Sequence, residues 1–127
     1  QIISLFGGII PDKLTEFKRL YGKGFGDYMA NAILCFAFGE DVPVVDKNVE
    51  RILTRVFSFK ARKDGHRDPK LWQFAAELVP EGKAEEYNWS LIDFGALVCA
   101  PKHPRCSTCP ILDICDYGRQ IQQLRAC

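Results

Sequence analysis

The sequence predicts an all-α fold. Apolar side chains recur at helical spacing in five or six stretches of the 127-residue chain, and this is the pattern of helices that bury one face. No stretch shows the sustained apolar and polar alternation of a half-buried strand. Glycine and proline residues separate the stretches from one another. We therefore expect short loops to join the helices, with no β-sheet between them.

Two helices are predicted ahead of Gly39. The first begins at Pro11 and Asp12 and ends in a glycine-rich run between Gly22 and Gly26. Its apolar positions, which lie on one side, are Leu14, Phe17 and Tyr21. The second helix follows that run and ends at Gly39, and we expect its buried positions to be Ala30, Ile33, Leu34, Ala37 and Phe38.

The third predicted helix has the clearest pattern. Asp46 is placed as its N-cap, because an aspartate before a helix accepts a hydrogen bond from one of the first free backbone amides. The apolar residues that follow fall at helix positions i, i+3, i+4, i+7 and i+8, which gives one buried face of Val49, Ile52, Leu53, Val56 and Phe57.

Two further helices are predicted before the cysteine-rich segment. Asp68 and Pro69 form a cap and a first helical position, and the inward residues that follow are Leu71, Phe74, Ala75 and Leu78. The fifth helix ends at Cys99, and one face of it holds Tyr87, Leu91, Phe94, Gly95 and Val98. Residues 118–127 fit either a frayed helix or a disordered tail.

The charge pattern favours a local contact with phosphates. The net charge is only +1, but residues 51–70 hold seven basic and two acidic side chains, and residues 99–127 are also net positive. No apolar run approaches the length of a bilayer span and no signal peptide is evident, so we expect an intracellular protein with no membrane partner. Because apolar residues follow Gln1 at once, we also expect them to pack against a missing N-terminal portion of the same fold.

Four of the six cysteines, Cys99, Cys106, Cys109 and Cys115, lie within seventeen positions, with six, two and five residues between neighbours. Buried free thiols are disfavoured because the intervening residues are polar or turn-forming. Disulfides are disfavoured because there is no secretory mark and Cys35 and Cys127 make no obvious pair. Zinc and iron-sulfur both remain open, although the wide outer loops favour something larger than one ion.

The cysteine spacing resembles the cluster loop of the endonuclease III and MutY families of helix-hairpin-helix DNA glycosylases. The resemblance implies a structural four-iron four-sulfur (4Fe–4S) cluster held by these four cysteines. It also implies that the loop between the first two cysteines contacts the DNA backbone through Lys102, His103 and Arg105. A merely solvated basic loop is the alternative interpretation.

The glycine-rich run resembles the hairpin of the same families. Glycines let backbone amides point outward at a helix N-terminus, where they hold phosphate oxygens. The resemblance implies DNA contacts at Gly22, Lys23, Gly24 and Gly26 and allows a monovalent cation at the hairpin. One departure from the family pattern is that Gly22 and Lys23 replace the usual Leu-Pro ahead of the first hairpin glycine.

Three residues carry the catalytic prediction. The segment around Asp46 resembles the one that bears the family's essential aspartate, although Asp46 alone would read as a helix cap. Asn48 resembles an assisting polar residue of the mismatch-specific members. Tyr28 stands where bifunctional members have a lysine that forms a Schiff base, and a phenol cannot form one. A purely structural Tyr28 is the alternative.

The resemblance therefore implies a base-excision repair enzyme that acts on double-stranded DNA without strand cleavage. Thymine or uracil opposite guanine is the expected target, an adenine glycosylase is the alternative, and an iron-sulfur DNA-binding module without catalysis or a redox or zinc protein remain open from other classes. We expect a monomer, located in the cytoplasm or nucleoid of a prokaryote or the nucleus of a eukaryote. Its predicted regions are a helical part (residues 1–98), a cluster loop (99–116) and a tail (117–127).

Overall fold

The computed structural model describes residues 26–60 and 67–126. The first predicted helix, the hairpin residues Gly22, Lys23 and Gly24, and Cys127 lie outside these ranges. No strand occurs in the described ranges, and the all-α prediction is confirmed. The described helices are α1 (Asp27–Phe38), α2 (Lys47–Phe57), α3 (Pro69–Glu77), α4 (Ala84–Leu97) and α5 (Asp116–Ala126), with two 3₁₀ turns at Cys106–Thr108 and Leu112–Ile114.

Helix α2 is the centre of the packing. Val49 and Leu53 face Leu71 and Ala75 of α3 in one buried cluster. Ile52 and Val56, on an adjacent side of the same helix, pack against Cys115 and residues of α4 and α5 in a second cluster. The predicted stripe is therefore divided between two sets of neighbours, and both ends of the cysteine segment lie against α2.

Helix α1 buries Ala30 and Leu34 as predicted, but its buried side does not extend to the predicted positions near its C-terminus. Leu34 and Cys35 are buried, whereas Ala37 and Phe38 are exposed. The reason is that α1 packs against Val44 and Ala84 through Cys35. This side includes a cysteine and the buried polar Asn31, neither of which the apolar pattern selects.

The predicted burial of Phe57 is also wrong, because 44% of this side chain is exposed at the last turn of α2. Its ring makes a T-shaped contact with Phe74, with 5.2 Å between centroids. The helix ends directly after it, at Ser58, which has a left-handed backbone with φ of 51°. The pattern therefore predicts the core of α2 correctly and fails at its final turn.

The C-terminal residues form a helix. Of the two interpretations that the sequence left open, the structure has α5, whose Gly118 is buried against the cysteine loop. α5 packs against α2 and against both 3₁₀ turns. The segment after the last cysteine therefore closes over the loop. None of the helices within the described residues is both long and apolar enough to cross a membrane.

Candidate active site and metal centre

Asp46 is the N-cap of α2, as the sequence predicts. Its Oδ1 accepts a hydrogen bond from the Val49 backbone amide at 2.8 Å, and its Oδ2 accepts one from Asn48 Nδ2 at 2.9 Å. Both oxygens are therefore oriented, one by the helix and one by an amide side chain. The residue is half-buried, so the carboxylate is held at the positive end of a helix dipole without being enclosed in the core.

Arg51 continues this arrangement toward the cysteines. Its Nη2 donates to Asn48 Oδ1 at 2.9 Å and to the Gly95 carbonyl at 2.8 Å, and its Nε donates to the Cys99 carbonyl at 2.9 Å. We call Asp46, Asn48 and Arg51 the carboxylate network. It connects the candidate catalytic carboxylate by direct hydrogen bonds to the backbone of the first cysteine.

Gly95 lets α4 approach this network closely. A Cβ atom added at Gly95 would lie 2.7 Å from Asn48 Cβ and 3.3 Å from Ile52 Cδ1. Real Cβ atoms do not come this near to another side chain, so any larger residue would push Asn48 away. The glycine therefore fixes the distance between the two helices at the point where Asn48 lies.

Asn88 holds the segment that leads into Asp46. It is 1% exposed, its Oδ1 accepts from the Val44 amide at 2.9 Å, and its Nδ2 donates to the Val42 carbonyl at 2.9 Å and to Cys35 Sγ at 3.3 Å. Burial raises the pKa of the Cys35 thiol, against the lowering effect of this Asn88 hydrogen bond. Cys35 is thus a fully buried residue of the core.

Tyr28 lies in the first turn of α1 with 45% of its surface exposed, and Gly26 is the N-cap of that helix. The hydrogen bonds of the described residues do not join Tyr28 to Asp46, so its predicted role stays a prediction. Among the described residues, no further atom lies within 4 Å of the position that a Cβ would take at Gly26. The predicted partners of Gly26 in the hairpin, which are Gly22, Lys23 and Gly24, lie outside the described residues.

The four clustered cysteines line one cavity between α2, α4 and α5. Other residues around it include Val56 and Tyr117. Burial raises the pKa of the Cys106 thiol, and the neighbouring Cys115, Cys109 and Cys99 raise it further. Such a set of thiols binds soft metal centres.

The same cavity is the candidate metal centre. Across the described ranges, no three His, Cys, Asp or Glu side chains lie close enough together to hold a single metal ion. All four cysteines nevertheless line the same cavity. A tetrahedral zinc ion would need its ligands drawn together around one point. Four cysteine thiols are the donor set both of structural zinc sites and of polynuclear iron-sulfur clusters.

The basic loop between the first two cysteines faces solvent. Lys102, His103 and Arg105 are all exposed, and His103 has a left-handed backbone with φ of 54°. The Arg105 amide donates to the Val98 carbonyl at 2.9 Å, which closes the loop. The loop therefore presents its basic side chains outward, as a phosphate contact requires, and the contact itself stays a prediction.

Sequence reasoning missed the residues that join these parts. Arg51 and Arg55 lie four apart on α2, and such residues share one helix face. Two arginines on one face of a helix next to a cysteine loop were a usable signal. Gly95 within an otherwise regular helix was another, because a glycine there costs helix stability unless close packing requires it. No comparable signal pointed to Asn88.

Comparisons with known proteins give a consistent result. No family profile matches the chain. The chain is 40% identical over 120 residues to a thymine-DNA glycosylase of Aeropyrum pernix, which covers 92% of this chain and 53% of that protein. It is 43% identical over 106 residues to an adenine DNA glycosylase of Arabidopsis thaliana, which covers 83% of this chain and 16% of that protein. The chain thus spans about half the length of the thymine-DNA glycosylases it matches.

Solved structures agree with these sequence matches. A thermostable thymine-DNA glycosylase superimposes with a TM-score of 0.84 at 34% identity, over 94% of this chain and 54% of that one. A non-covalent complex of endonuclease III with DNA superimposes with a TM-score of 0.77 at 25% identity, over 96% of this chain and 55% of that one. Both values indicate the same arrangement of helices.

Proposed function

Because the chain belongs to the endonuclease III/MutY superfamily of helix-hairpin-helix DNA glycosylases, we propose that the protein is a monofunctional glycosylase of base-excision repair. Its proposed substrate is thymine or uracil opposite guanine in double-stranded DNA, and the reaction is hydrolysis of the N-glycosidic bond. The observation that carries the proposal is the Asp46 carboxylate, which has both oxygens held at the start of α2.

The carboxylate has a definite task in such a reaction. Positive charge builds on the deoxyribose as the bond to the base breaks, and a fixed anion nearby stabilises that charge. The same group can instead orient the attacking water. Asn48 and the Val49 amide hold the oxygens in place before the reaction begins, so no reorganisation is needed when the charge appears.

Tyr28 supports release of the base without strand cleavage. Cleavage by a lyase step requires an amine that attacks the sugar carbon and forms a Schiff base. The phenol of Tyr28 cannot do this, and the exposed position of its ring leaves it free to contact DNA at the start of α1. The expected product is therefore an intact strand with an abasic site.

DNA binding is proposed to involve two surfaces of a monomeric protein. One is the hairpin ahead of α1, with Gly22, Lys23, Gly24 and Gly26. The other is the exposed basic loop with Lys102, His103 and Arg105. Support comes from the similarity to an endonuclease III structure in complex with DNA. Phosphate contacts of this kind weaken binding as salt rises.

We further propose that Cys99, Cys106, Cys109 and Cys115 hold a 4Fe–4S cluster. When bound, the cluster would supply a rigid brace for the basic loop rather than chemistry at the sugar. The cavity lined by all four cysteines supports this assignment. Iron content and broad visible absorption of the purified protein test it, because a colourless, zinc-containing protein would refute the cluster.

A panel of duplexes tests the proposed reaction. The protein is offered G·T, G·U, G·A and oxidised-guanine·A pairs, and the strands are then treated with alkali. We expect nicks only after alkali, and only for G·T and G·U. An adenine glycosylase is the second candidate because of the 43% identity to the plant adenine enzyme, and nicks confined to the two adenine duplexes would establish it instead.

A further inference from the structure

Arg55 reaches from the last turn of α2 to the residues around the first cysteine. Its Nη1 donates to the Ala100 carbonyl at 2.8 Å and lies 3.5 Å from Cys99 Sγ, and its Nη2 donates to the Pro101 carbonyl at 3.0 Å. The guanidinium also lies over the Tyr117 ring, 4.7 Å from the centroid. A planar guanidinium fixed in this way holds its N–H groups in set directions.

Two of the four clustered sulfurs thus have N–H donors of different kinds. The Gly118 backbone amide donates to Cys115 Sγ at 3.3 Å, and this donor is neutral. Arg55 donates to Cys99 Sγ and carries a full positive charge. Arg119, on the nearby helix α5, is also positive, but it is exposed and its Nη2 is paired with Asp116 at 2.7 Å. Arg55 therefore differs from Arg119 in its contact with a sulfur.

We propose that Arg55 is a positioning residue that sets the reduction potential of the iron-sulfur cluster and its retention; this inference rests on the cluster proposed above. A reduced cluster carries more negative charge on its sulfurs, and a charged N–H donor stabilises that form more than the oxidised one. Arg55 therefore raises the reduction potential. Its bonds to the Ala100 and Pro101 carbonyls hold the backbone that carries Cys99, which slows loss of the cluster.

The test compares Arg55→Met and Arg55→Lys with Arg119→Met in the full-length protein. The potential is measured by voltammetry, the iron-thiolate stretch by resonance Raman, and retention by the decay of visible absorption under a chelator. We expect Arg55→Met to have the lowest potential and to lose its cluster about tenfold faster. Arg55→Lys keeps the charge without the planar fork and should have an intermediate potential. Arg119→Met, the matched control for charge, should differ little from the unaltered protein.

The outcomes separate this inference from the cofactor assignment. An unaltered protein without iron would refute the cluster itself. If the cluster is present but Arg55→Met and Arg119→Met have the same reduction potential, the role of Arg55 is refuted and the cluster assignment stands. If Arg55→Met assembles no cluster, the reduction potentials of Arg55→Lys and Arg119→Met are compared instead. Equal potentials in these two variants would refute the role of Arg55.

Discussion

Two asparagines in this protein make similar hydrogen bonds in different surroundings. Asn88 is 1% exposed, and its amide bonds to the backbone on both sides of Pro43 and to Cys35. Asn48 is half-buried, and its amide joins the Asp46 carboxylate to Arg51. The first amide replaces water for buried backbone groups, whereas the second orients a charge that remains accessible. Of these two side chains, Asn88 should therefore contribute more to the stability of the fold. Asn48, as part of the carboxylate network, should contribute more to turnover.

The largest expected effect is on turnover in Asp46→Asn. The variant keeps a good helix cap but loses the negative charge opposite the sugar, so we expect kcat on G·T and G·U duplexes to fall about 10²- to 10³-fold. DNA affinity, measured by fluorescence anisotropy, should change little. Single-turnover base release gives the rate.

Asp68→Asn is the matched control for this substitution. Asp68 is also the N-cap of a helix, and its carboxylate accepts from the Lys70 amide at 3.0 Å at the start of α3. We expect its turnover to match that of the unaltered protein. Full turnover in Asp46→Asn would end the catalytic assignment, and an equal loss in both variants would attribute the effect to helix capping.

The largest expected effect on stability is in Asn88→Leu. This change leaves the Val44 amide and the Val42 carbonyl without their partner inside the core, and each such group costs about 1–3 kcal/mol. We expect the free energy of unfolding, measured in urea, to fall by about 2–5 kcal/mol. Asn48→Ala should lower it by less than Asn88→Leu does but reduce kcat more; the reverse order would contradict the distinction between the two amides.

A smaller effect is expected in Gly95→Ala. The added methyl group would overlap with Asn48 Cβ, and overpacking of this kind costs about 1–3 kcal/mol. The carboxylate network should also shift, so kcat should fall together with the free energy of unfolding. Ser90→Ala is the control within α4, because its side chain is exposed. A Gly95→Ala protein with unchanged kcat would show that Asn48 can move without consequence.

Much of the fold could be predicted because it follows from local physics. The caps Asp46 and Asp68 accept hydrogen bonds from backbone amides two or three residues later in the chain, and a pattern read along the chain detects this. The sequence pattern predicted that Phe38 and Phe57 are buried, but both are exposed. These errors arise because burial depends on contacts that are not local. Whether a helix end is covered depends on which distant segments meet it, and periodicity within one helix carries no such information.

The candidate site likewise has parts that the sequence predicts and parts that it does not. The four cysteines are close in sequence, so their convergence on one cavity could be expected. The contacts of Arg51 with Gly95 and of Arg55 with Ala100 join residues 44 and 45 positions apart, and spacing alone cannot give them. These long-range contacts fix how Asp46 stands relative to the cysteine loop, which the motifs leave undetermined.

The smallest expected effect is a gain of function at the exposed start of α1. Tyr28→Lys places an amine where the superfamily's bifunctional members are expected to have one, and attack on the sugar carbon would add strand cleavage. We expect weak nicking of G·U duplexes without alkali, and a borohydride-trapped complex between protein and DNA. Met29→Lys is the matched control, because Met29 lies in the same turn with 48% exposure against 45% for Tyr28. Nicking by both variants would mean that any nearby lysine suffices, whereas nicking by neither would place the Tyr28 ring away from the sugar. If only Tyr28→Lys cleaves the strand, the result supports a position of the Tyr28 phenol next to the same deoxyribose as Asp46.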